Sequence, residues 1–387
     1  MQHCPRVLVS RDSSGEVRAP FDIKAQAGGA RRAPRDPGRG DADARARIWA
    51  KASLRVPHKV ILERWIGRGA EAGGLLAPTL RRMRALVSCT TSPHAELADV
   101  PDPHPDRNQA LVEVKAFSLN RGETKRLASM EPGSVTGWDV AGIVREAAAD
   151  GSGPPQGARV VGLVRLGAWA ELAAVSTDVL AELPDEVSLE QAATLPVAGL
   201  TALRALEVGG FVLGKRVLVT GASGGVGRFA IQLATLAGAH VTGLARRTAG
   251  LSELGADEVI QVLEPDGPTY DVIIDAVGGA TLGAAIGRVA PSGTIINFAA
   301  TSDEPVSYPT RTLFGRAPGA RLYGLLVFPE LAKHASGSSD LRRLAELVAA
   351  GKLDPQIDLV ASWTDAGGAI EALLDRRVNG KAVLTVD

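Results

Sequence analysis

A glycine-rich stretch, VLVTGASGGVGRFAIQLA, occupies residues 217–234 of the chain. An apolar run typical of a buried strand (Arg216–Thr220) leads into it, and apolar residues at helical spacing follow it. Between them, Gly221, Gly224 and Gly227 stand three apart. In a dinucleotide fingerprint of this kind, one glycine permits a tight turn, one lets backbone N–H groups approach a pyrophosphate, and one lets helix and strand pack closely. The stretch therefore predicts a phosphate-binding loop at a helix N-terminus.

Glycine spacing alone is weak evidence, because 44 of the 387 residues are glycine, so the flanking pattern decides the interpretation. From residue 205 to residue 328, strand-like and helix-like runs alternate, which predicts a doubly wound parallel sheet of six strands. The strands are predicted over RVLVT, HVTGL, DEVIQV, YDVIIDAV, GTIINFA and RLYGLLVF, and the helices over residues 225–237, 249–254 and 280–289.

The strand after the first helix indicates which dinucleotide binds. An NAD site usually places Asp or Glu about 20 residues beyond the glycines, where the carboxylate accepts hydrogen bonds from the ribose hydroxyls. In HVTGLARRTAG that position holds no acid, and Arg246 and Arg247 follow the strand instead. Guanidinium groups form charge-assisted, forked hydrogen bonds with phosphate. The pair favours NADPH as the cofactor; the alternative is two ordinary solvated arginines.

Residues 1–82 differ in composition from the rest, with 17 Lys and Arg against 8 Asp and Glu, whereas the remainder has 26 against 35. Three interpretations stay open: a disordered leader, a start codon placed before the true start at Met83, or a basic arm that binds an anion. The acidic remainder predicts no nucleic-acid partner. Two cysteines, Cys4 and Cys89, exclude a disulfide framework, and no apolar run reaches the roughly 18 residues of a membrane span. We expect a cytoplasmic protein without a membrane partner.

Further motifs resemble the medium-chain dehydrogenase/reductase superfamily, specifically its zinc-free quinone-oxidoreductase-like branch. The resemblance runs from Met83 to Asp387 and is carried by AFSLNRGETK, TGWDVAGIV, QGARVVGL, AATLPVAGLTALRAL, VTGASGGVGRFAIQLA, LGADEVI, DVIIDAVGG and GKAVLTV. It implies an α/β protein in which residues 83–204 and 329–387 form a GroES-like, β-rich catalytic domain. Residues 205–328 then form an inserted Rossmann NADP-binding domain, with the nicotinamide in the cleft between the two.

In zinc-dependent members of the family, a Cys, a His and a second Cys bind the catalytic metal. The resemblance places these ligands at Asn120, Trp138 and Val197. Asn is a poor zinc ligand, and Trp and Val are not ligands at all. Asp139 could bind a metal, but one carboxylate makes no site. We expect no metal site.

Without a metal ion, hydride addition to a simple ketone is difficult because it builds a localised alkoxide, whereas an enone or quinone spreads the charge. The resemblance likewise implies NADPH-dependent reduction of a quinone or an α,β-unsaturated carbonyl. It places Asn120 and Thr201 beside the nicotinamide, and we add Asp139 as a catalytic candidate. Lys125 replaces a Tyr often found in the pocket and either donates a proton from a buried position or is solvated at the cleft mouth.

Two alternative functions stay open at this point: a carbonyl or alcohol oxidoreductase that uses a bound water and Lys125, and a non-catalytic NADPH-binding protein. The last predicted strand, RLYGLLVF, has an apolar edge that invites pairing, and the resemblance implies a homodimer through it. Besides the two arginines, the cofactor-binding candidates are Gly221, Ser223, Gly224, Gly225, Val226, Gly227, Val277, Gly278 and Lys381.

Overall fold

The computed structural model describes residues 81–387, and the predictions for residues 1–80 lie outside this range. Its strands are β1 (Arg82–Ser88), β2 (Ala95–Pro101), β3 (Gln109–Leu119), β4 (Asp139–Glu146), β5 (Arg159–Leu163), β6 (Leu172–Ser176), β7 (Leu180–Glu182), β8 (Arg216–Thr220), β9 (His240–Leu244), β10 (Glu258–Ile260), β11 (Tyr270–Asp275), β12 (Val289–Asn297), β13 (Arg321–Gly324), β14 (Ile357–Ser362) and β15 (Lys381–Thr385).

The α-helices of these residues are α1 (Arg121–Arg126), α2 (Leu189–Ala193), α3 (Leu200–Gly209), α4 (Gly225–Leu236), α5 (Gly279–Ile286), α6 (Val327–His334), α7 (Gly337–Ala349) and α8 (Ala366–Leu374). Short 3₁₀ or π turns join several of them. None of these helices is long and apolar enough to cross a membrane.

The central sheet has six parallel strands in the order β10-β9-β8-β11-β12-β13. Strand β8 lies in the middle and is buried over four of its five residues, because α4 packs on it and β9 and β11 flank it. Reversal of strand order beside β8 creates a crevice at the carboxyl ends of the strands, where such sheets bind ligands. The predicted doubly wound sheet is confirmed.

The β-rich part is a seven-stranded sheet in the order β14-β15-β3-β4-β5-β7, with β6 paired to β3. The last strand of the chain, β15, runs antiparallel to β3, with Ala382 opposite Leu119. This pairing places the C-terminal Lys381 beside the end of β3, where α1 begins. The predicted combination of a GroES-like domain and a Rossmann sheet is therefore confirmed.

Two sequence-based predictions within the parallel sheet are wrong in detail. The helix expected over residues 249–254 is a series of turns, because Gly250 and Gly255 adopt φ of 77° and 103°, which a right-handed helix cannot contain. The strand expected over RLYGLLVF ends at Gly324, and helix α6 begins at Val327. The second half of that apolar run consequently contributes to the cleft described next.

Candidate active site

A cavity of about 2040 Å³ lies at the carboxyl ends of the parallel strands and is walled by both the parallel sheet and the β-rich part. We call it the cleft. It brings together most of the residues that the sequence analysis selected: Asn120, Lys125, Thr201, Gly221, Ser223, Gly224, Gly225, Val226, Arg246, Arg247, Val277 and Lys381. The remaining candidates, Asp139, Gly227 and Gly278, do not line it.

The glycine loop joins β8 to α4 as predicted. Gly221 has φ of 62°, which turns the chain sharply after the strand. A Cβ on Gly227 would lie 2.6 Å from the carbonyl oxygen of Gly221, so this glycine allows α4 to pack against the loop. A Cβ on Gly225 would lie 2.7 Å from Cδ of Lys381. The loop is thus held closely between its own strand and the C-terminal strand β15, with the N-terminus of α4 at the cleft.

The carboxylate of Asp275 ties three neighbouring strand ends together beneath the cleft. It accepts hydrogen bonds from Thr220 Oγ1 at 2.5 Å and from Asn297 Nδ2 at 2.8 Å. The backbone N–H of Gly278 donates to it at 3.1 Å. Gly278 has φ of 75° and so forms the turn after β11, while its neighbour Val277 reaches the cleft wall. Sequence analysis singled out Gly278 but not Asp275, which orients it.

Arginines gather at one end of the cleft. Arg246 and Arg247 follow β9 as predicted, and Arg247 Nη2 donates to the carbonyl oxygen of Val378 at 2.8 Å. Arg121 and Arg376 join them from the β-rich part, and neither was selected from the sequence. Burial, followed by the positive charges of Arg376 and Arg246, lowers the pKa of Arg121. Guanidinium groups this close to one another repel unless an anion lies between them.

Asn120 stands at the inner end of the cleft, at the start of α1, and its side-chain amide is fixed from both sides. Its Nδ2 donates to Asp139 Oδ2 at 2.7 Å and to Glu123 Oε1 at 3.0 Å. Its Oδ1 accepts a hydrogen bond from Lys381 Nζ at 2.8 Å. The sequence selected Asn120, Asp139 and Lys381 separately, but the structure joins them, and Glu123 had no sequence signal beyond its place in the motif AFSLNRGETK.

Asp139 is fully buried under Asn120 and acts on the cleft only through its neighbours. It accepts hydrogen bonds from Ser118 Oγ and, at 2.9 Å, from the backbone N–H of Val197. Lys381 Nζ lies 3.7 Å from it and is also buried. Asp139 itself does not line the cleft, but its carboxylate contacts two residues that do, Asn120 and Val197.

Burial shifts the pKa values of Glu123 and Lys381. Loss of solvent, and then the charge of Asp139, raise the pKa of Glu123 well above its ordinary value. Loss of solvent also lowers the pKa of Lys381, although Asp139 and Glu123 oppose that effect. The pKa values of Glu123 and Lys381 are thus both shifted in the direction that favours the neutral form, as burial of an ionisable group does.

Aromatic side chains also line the cleft. The rings of Trp138 and Phe328 meet edge to face, with centroids 5.7 Å apart. Thr201, on α3, lines the cleft and is almost completely buried. Lys125 lines the cleft but is exposed, so it takes the solvated position that was one of its two predicted places. Phe328 had no sequence signal, because it was assigned to a strand.

The three positions that correspond to zinc ligands do not fit a zinc ion. The amide of Asn120 is engaged by Asp139, Glu123 and Lys381, Trp138 presents a ring, and Val197 contributes only a backbone N–H. In the part of the chain that the structure describes, no group of three or more His, Cys, Asp or Glu side chains is arranged to hold a metal ion.

Comparisons with known proteins agree with this architecture. The family model described as "Alcohol dehydrogenase GroES-like domain" matches residues 106–185, and that described as "Zinc-binding dehydrogenase" matches residues 254–384. The chain is 30% identical over 315 residues to a chloroplast envelope quinone oxidoreductase homolog of Arabidopsis thaliana, covering 75% of this chain and 93% of that protein.

Two further proteins are similar over most of their length. A mitochondrial NAD(P)H oxidoreductase of Mus musculus is 32% identical over 286 residues, covering 65% of this chain and 70% of that protein. The solved structure of the quinone oxidoreductase from Coxiella burnetii superposes with a TM-score of 0.69 at 30% identity, covering 79% of this chain and 100% of that chain.

Proposed function

Because the chain belongs to the medium-chain dehydrogenase/reductase superfamily, in its quinone-oxidoreductase-like branch, we propose that it transfers a hydride from NADPH to a quinone or another α,β-unsaturated carbonyl without a catalytic zinc ion. One observation carries the proposal: the cleft joins a dinucleotide loop to Asn120 and Thr201, while the metal-ligand positions hold no zinc ligands. Two relatives named as a quinone oxidoreductase and an NAD(P)H oxidoreductase support the reaction class.

The choice of NADPH rests on the arginine cluster. The strand end that carries an acid in NAD sites carries Arg246 and Arg247 here, and Arg121 and Arg376 add two charges from the β-rich part. A 2′-phosphate is doubly charged and accepts several hydrogen bonds at once, so it is suited to more than one guanidinium. The 2′-phosphate thereby offsets the mutual repulsion of the cluster.

Bound NADPH supplies the hydride, and the chain supplies position and surroundings. Uncapped N–H groups at the start of α4 would hold the pyrophosphate, and the close packing of Gly225 on Lys381 fixes the loop against the β-rich part. Asn120, with its amide fixed on both sides, and Thr201 flank the place for the nicotinamide. The Asn120 amide is held in one orientation, which limits the reorganisation needed during hydride transfer.

The substrate class follows from the charge that the reaction creates. A quinone or enone spreads the negative charge of the added hydride over a conjugated system, whereas a saturated ketone concentrates it on one oxygen. The cleft offers aromatic and aliphatic walls from Trp138, Phe328 and Val197, and among the described residues no cluster of side chains could hold a metal ion to stabilise a localised alkoxide. This environment suits a flat conjugated substrate better than a saturated ketone.

The test is oxidation of NADPH, followed by absorbance, with a panel of quinones, enones and matched saturated ketones, in the presence and absence of a metal chelator. We expect turnover with quinones or enones, little with saturated ketones, and no effect of the chelator. Arg343→Ala, on the exposed face of α7 away from the cleft, serves as the control variant.

Other outcomes would overturn the proposal. Turnover restricted to saturated ketones would indicate a carbonyl or alcohol oxidoreductase, and loss of turnover with chelator would indicate a metal. Tight NADPH binding without oxidation by any member of the panel would indicate a binding protein.

A further inference from the structure

The substrate end of the cleft has positive charge that the cofactor does not use. Eight Lys and Arg residues line the cleft against a single acid, Asp375, among the described residues. Four of the arginines form the cluster assigned to the 2′-phosphate, and Asp375 precedes one of them in sequence. Lys381 is buried under Asn120. The remaining three cations are Lys125, Arg126 and Arg165.

Two of these cations lie against the aromatic pair, and the third is adjacent in sequence to one of them. The guanidinium of Arg126 lies over the ring of Trp138 at 6.0 Å, and that of Arg165 lies over the ring of Phe328 at 5.5 Å. Lys125 precedes Arg126 on α1, and the same helix supports the indole, because a Cβ on Gly122 would lie 3.0 Å from the ring of Trp138. An apolar corner made by two nearly perpendicular rings is thus bordered by positive charge on both sides.

The size of the cleft leaves room for a substrate that reaches this border. Ligand pockets for small molecules usually enclose roughly 300–1,000 Å³, and the cleft encloses about 2040 Å³. It therefore has space for a dinucleotide and for a substrate that extends beyond the reacting double bond. An extended substrate would pack its apolar part against the aromatic pair and place its far end among the cations.

Resting on the proposed function, we infer that the preferred substrate is a conjugated carbonyl compound that carries a carboxylate, bound by Lys125 and Arg126 at the mouth of the cleft. An arginine presents a planar fork that matches a carboxylate, and the adjacent lysine adds a flexible charge. The aromatic pair holds the apolar body of the substrate between the reacting bond and the carboxylate.

The experiment compares two substrates that differ only in charge: an enone with a carboxylate at the far end of a saturated chain, and the methyl ester of the same compound. With wild-type protein and NADPH, we expect kcat/KM for the acid to exceed that for the ester by roughly three- to tenfold, since exposed ion pairs are weak. The difference should lie in KM and should shrink as the salt concentration rises.

A double variant, Lys125→Met with Arg126→Gln, should bring the acid-to-ester ratio close to one, and Arg126→Lys with Lys125 intact should keep most of the preference. Arg343→Gln, far from the cleft, controls for the loss of one surface charge, and thermal unfolding confirms that the variants are folded.

The outcomes separate the two proposals. If wild-type protein reduces neither compound, the proposed function fails. If it reduces both equally, or if the double variant keeps the wild-type ratio, the proposed reductase function is retained and the inference about the carboxylate is wrong.

Discussion

Asn120 shows how single residues position the site. Its amide can rotate freely only if its hydrogen bonds are broken, and here Asp139 and Glu123 accept from its nitrogen while Lys381 donates to its oxygen. These hydrogen bonds assign the amide orientation, because a flipped amide would face two acceptors with its oxygen. The cleft therefore receives one defined face of the amide rather than an average of two.

Glu123 makes the free energy of unfolding depend on pH. Its pKa is raised above its ordinary value of 4.5, so the folded chain holds the proton more tightly than the unfolded chain. The resulting stabilisation is full below pH 4.5 and is lost as pH rises toward the raised pKa. Glu123→Gln keeps the acceptor oxygen but cannot ionise, so its stability relative to wild type should increase with pH.

Thermal unfolding of both proteins between about pH 5 and pH 9 measures this difference. Glu186→Gln, at an exposed position, is the matched control. A constant difference between Glu123→Gln and wild type across the range would show that Glu123 is ionised in the folded chain.

Arg376 provides the sharpest residue-scale test of the cofactor. Its neighbour Arg377 does not line the cleft, and Arg377 Nη2 donates a hydrogen bond to Asp375 Oδ2 at 3.4 Å. Arg376→Asn should weaken NADPH binding by roughly tenfold, because a charge-assisted hydrogen bond is lost, and should leave NADH binding nearly unchanged. Asn tolerates the φ of 61° at this position. Titration of each cofactor measures both affinities.

The matched variant Arg377→Asn should leave both affinities unchanged. A loss of NADPH affinity that is equal in the two variants, or an equal loss for NADH in Arg376→Asn, would exclude a specific contact with the 2′-phosphate. The double variant Arg246→Ala with Arg247→Ala should remove most of the remaining preference.

At the scale of elements, the packing of α4 on the loop after β8 determines where the helix N-terminus points. Gly227→Ala would place a methyl group 2.6 Å from a backbone oxygen and 2.7 Å from Cα of Ala222, so the helix must move. Such overpacking typically costs about 1–3 kcal/mol of unfolding free energy. We expect a lower midpoint in denaturant and weaker NADPH binding, because the displaced helix carries the pyrophosphate site.

Gly368→Ala, inside α8 with open space around its Cβ, is the matched substitution and should raise stability by up to about 1 kcal/mol. If Gly227→Ala behaves like Gly368→Ala, the third glycine of the motif has no packing role.

At the scale of the whole molecule, β13 is the last strand of the parallel sheet, and Leu322 on it is 58% exposed. An unpaired edge with an exposed apolar side chain favours pairing with a second copy. We expect a homodimer through this edge, and Leu322→Lys should shift it toward monomer in analytical ultracentrifugation. Leu236→Lys, at an exposed leucine on α4, should not. A wild-type monomer at micromolar concentration would contradict the expectation.

The parallel sheet and the glycine loop could be predicted from the sequence because each depends on local patterns, whereas the combination of two domains was implied by the family resemblance. Alternating strands and helices predict a parallel sheet. Glycines at a set spacing predict a tight turn, because a side chain at those positions would clash with the backbone. The same local signals failed at residues 249–254, where apolar spacing suggested a helix but glycines at positive φ prevented it. They also failed at the end of β13, because the single apolar run RLYGLLVF contains both β13 and the start of α6.

Tertiary structure decided which side chains share the cleft. Arg121 and Arg376 are 255 positions apart, and Asn120 and Lys381 are 261 apart, so no local pattern relates them. Pairing of β15 with β3 brings Lys381 and Asn120 together, and Glu123 and Asp139 are buried beside them. Charge and protonation then follow from burial, which is a property of the folded chain and not of the residue alone.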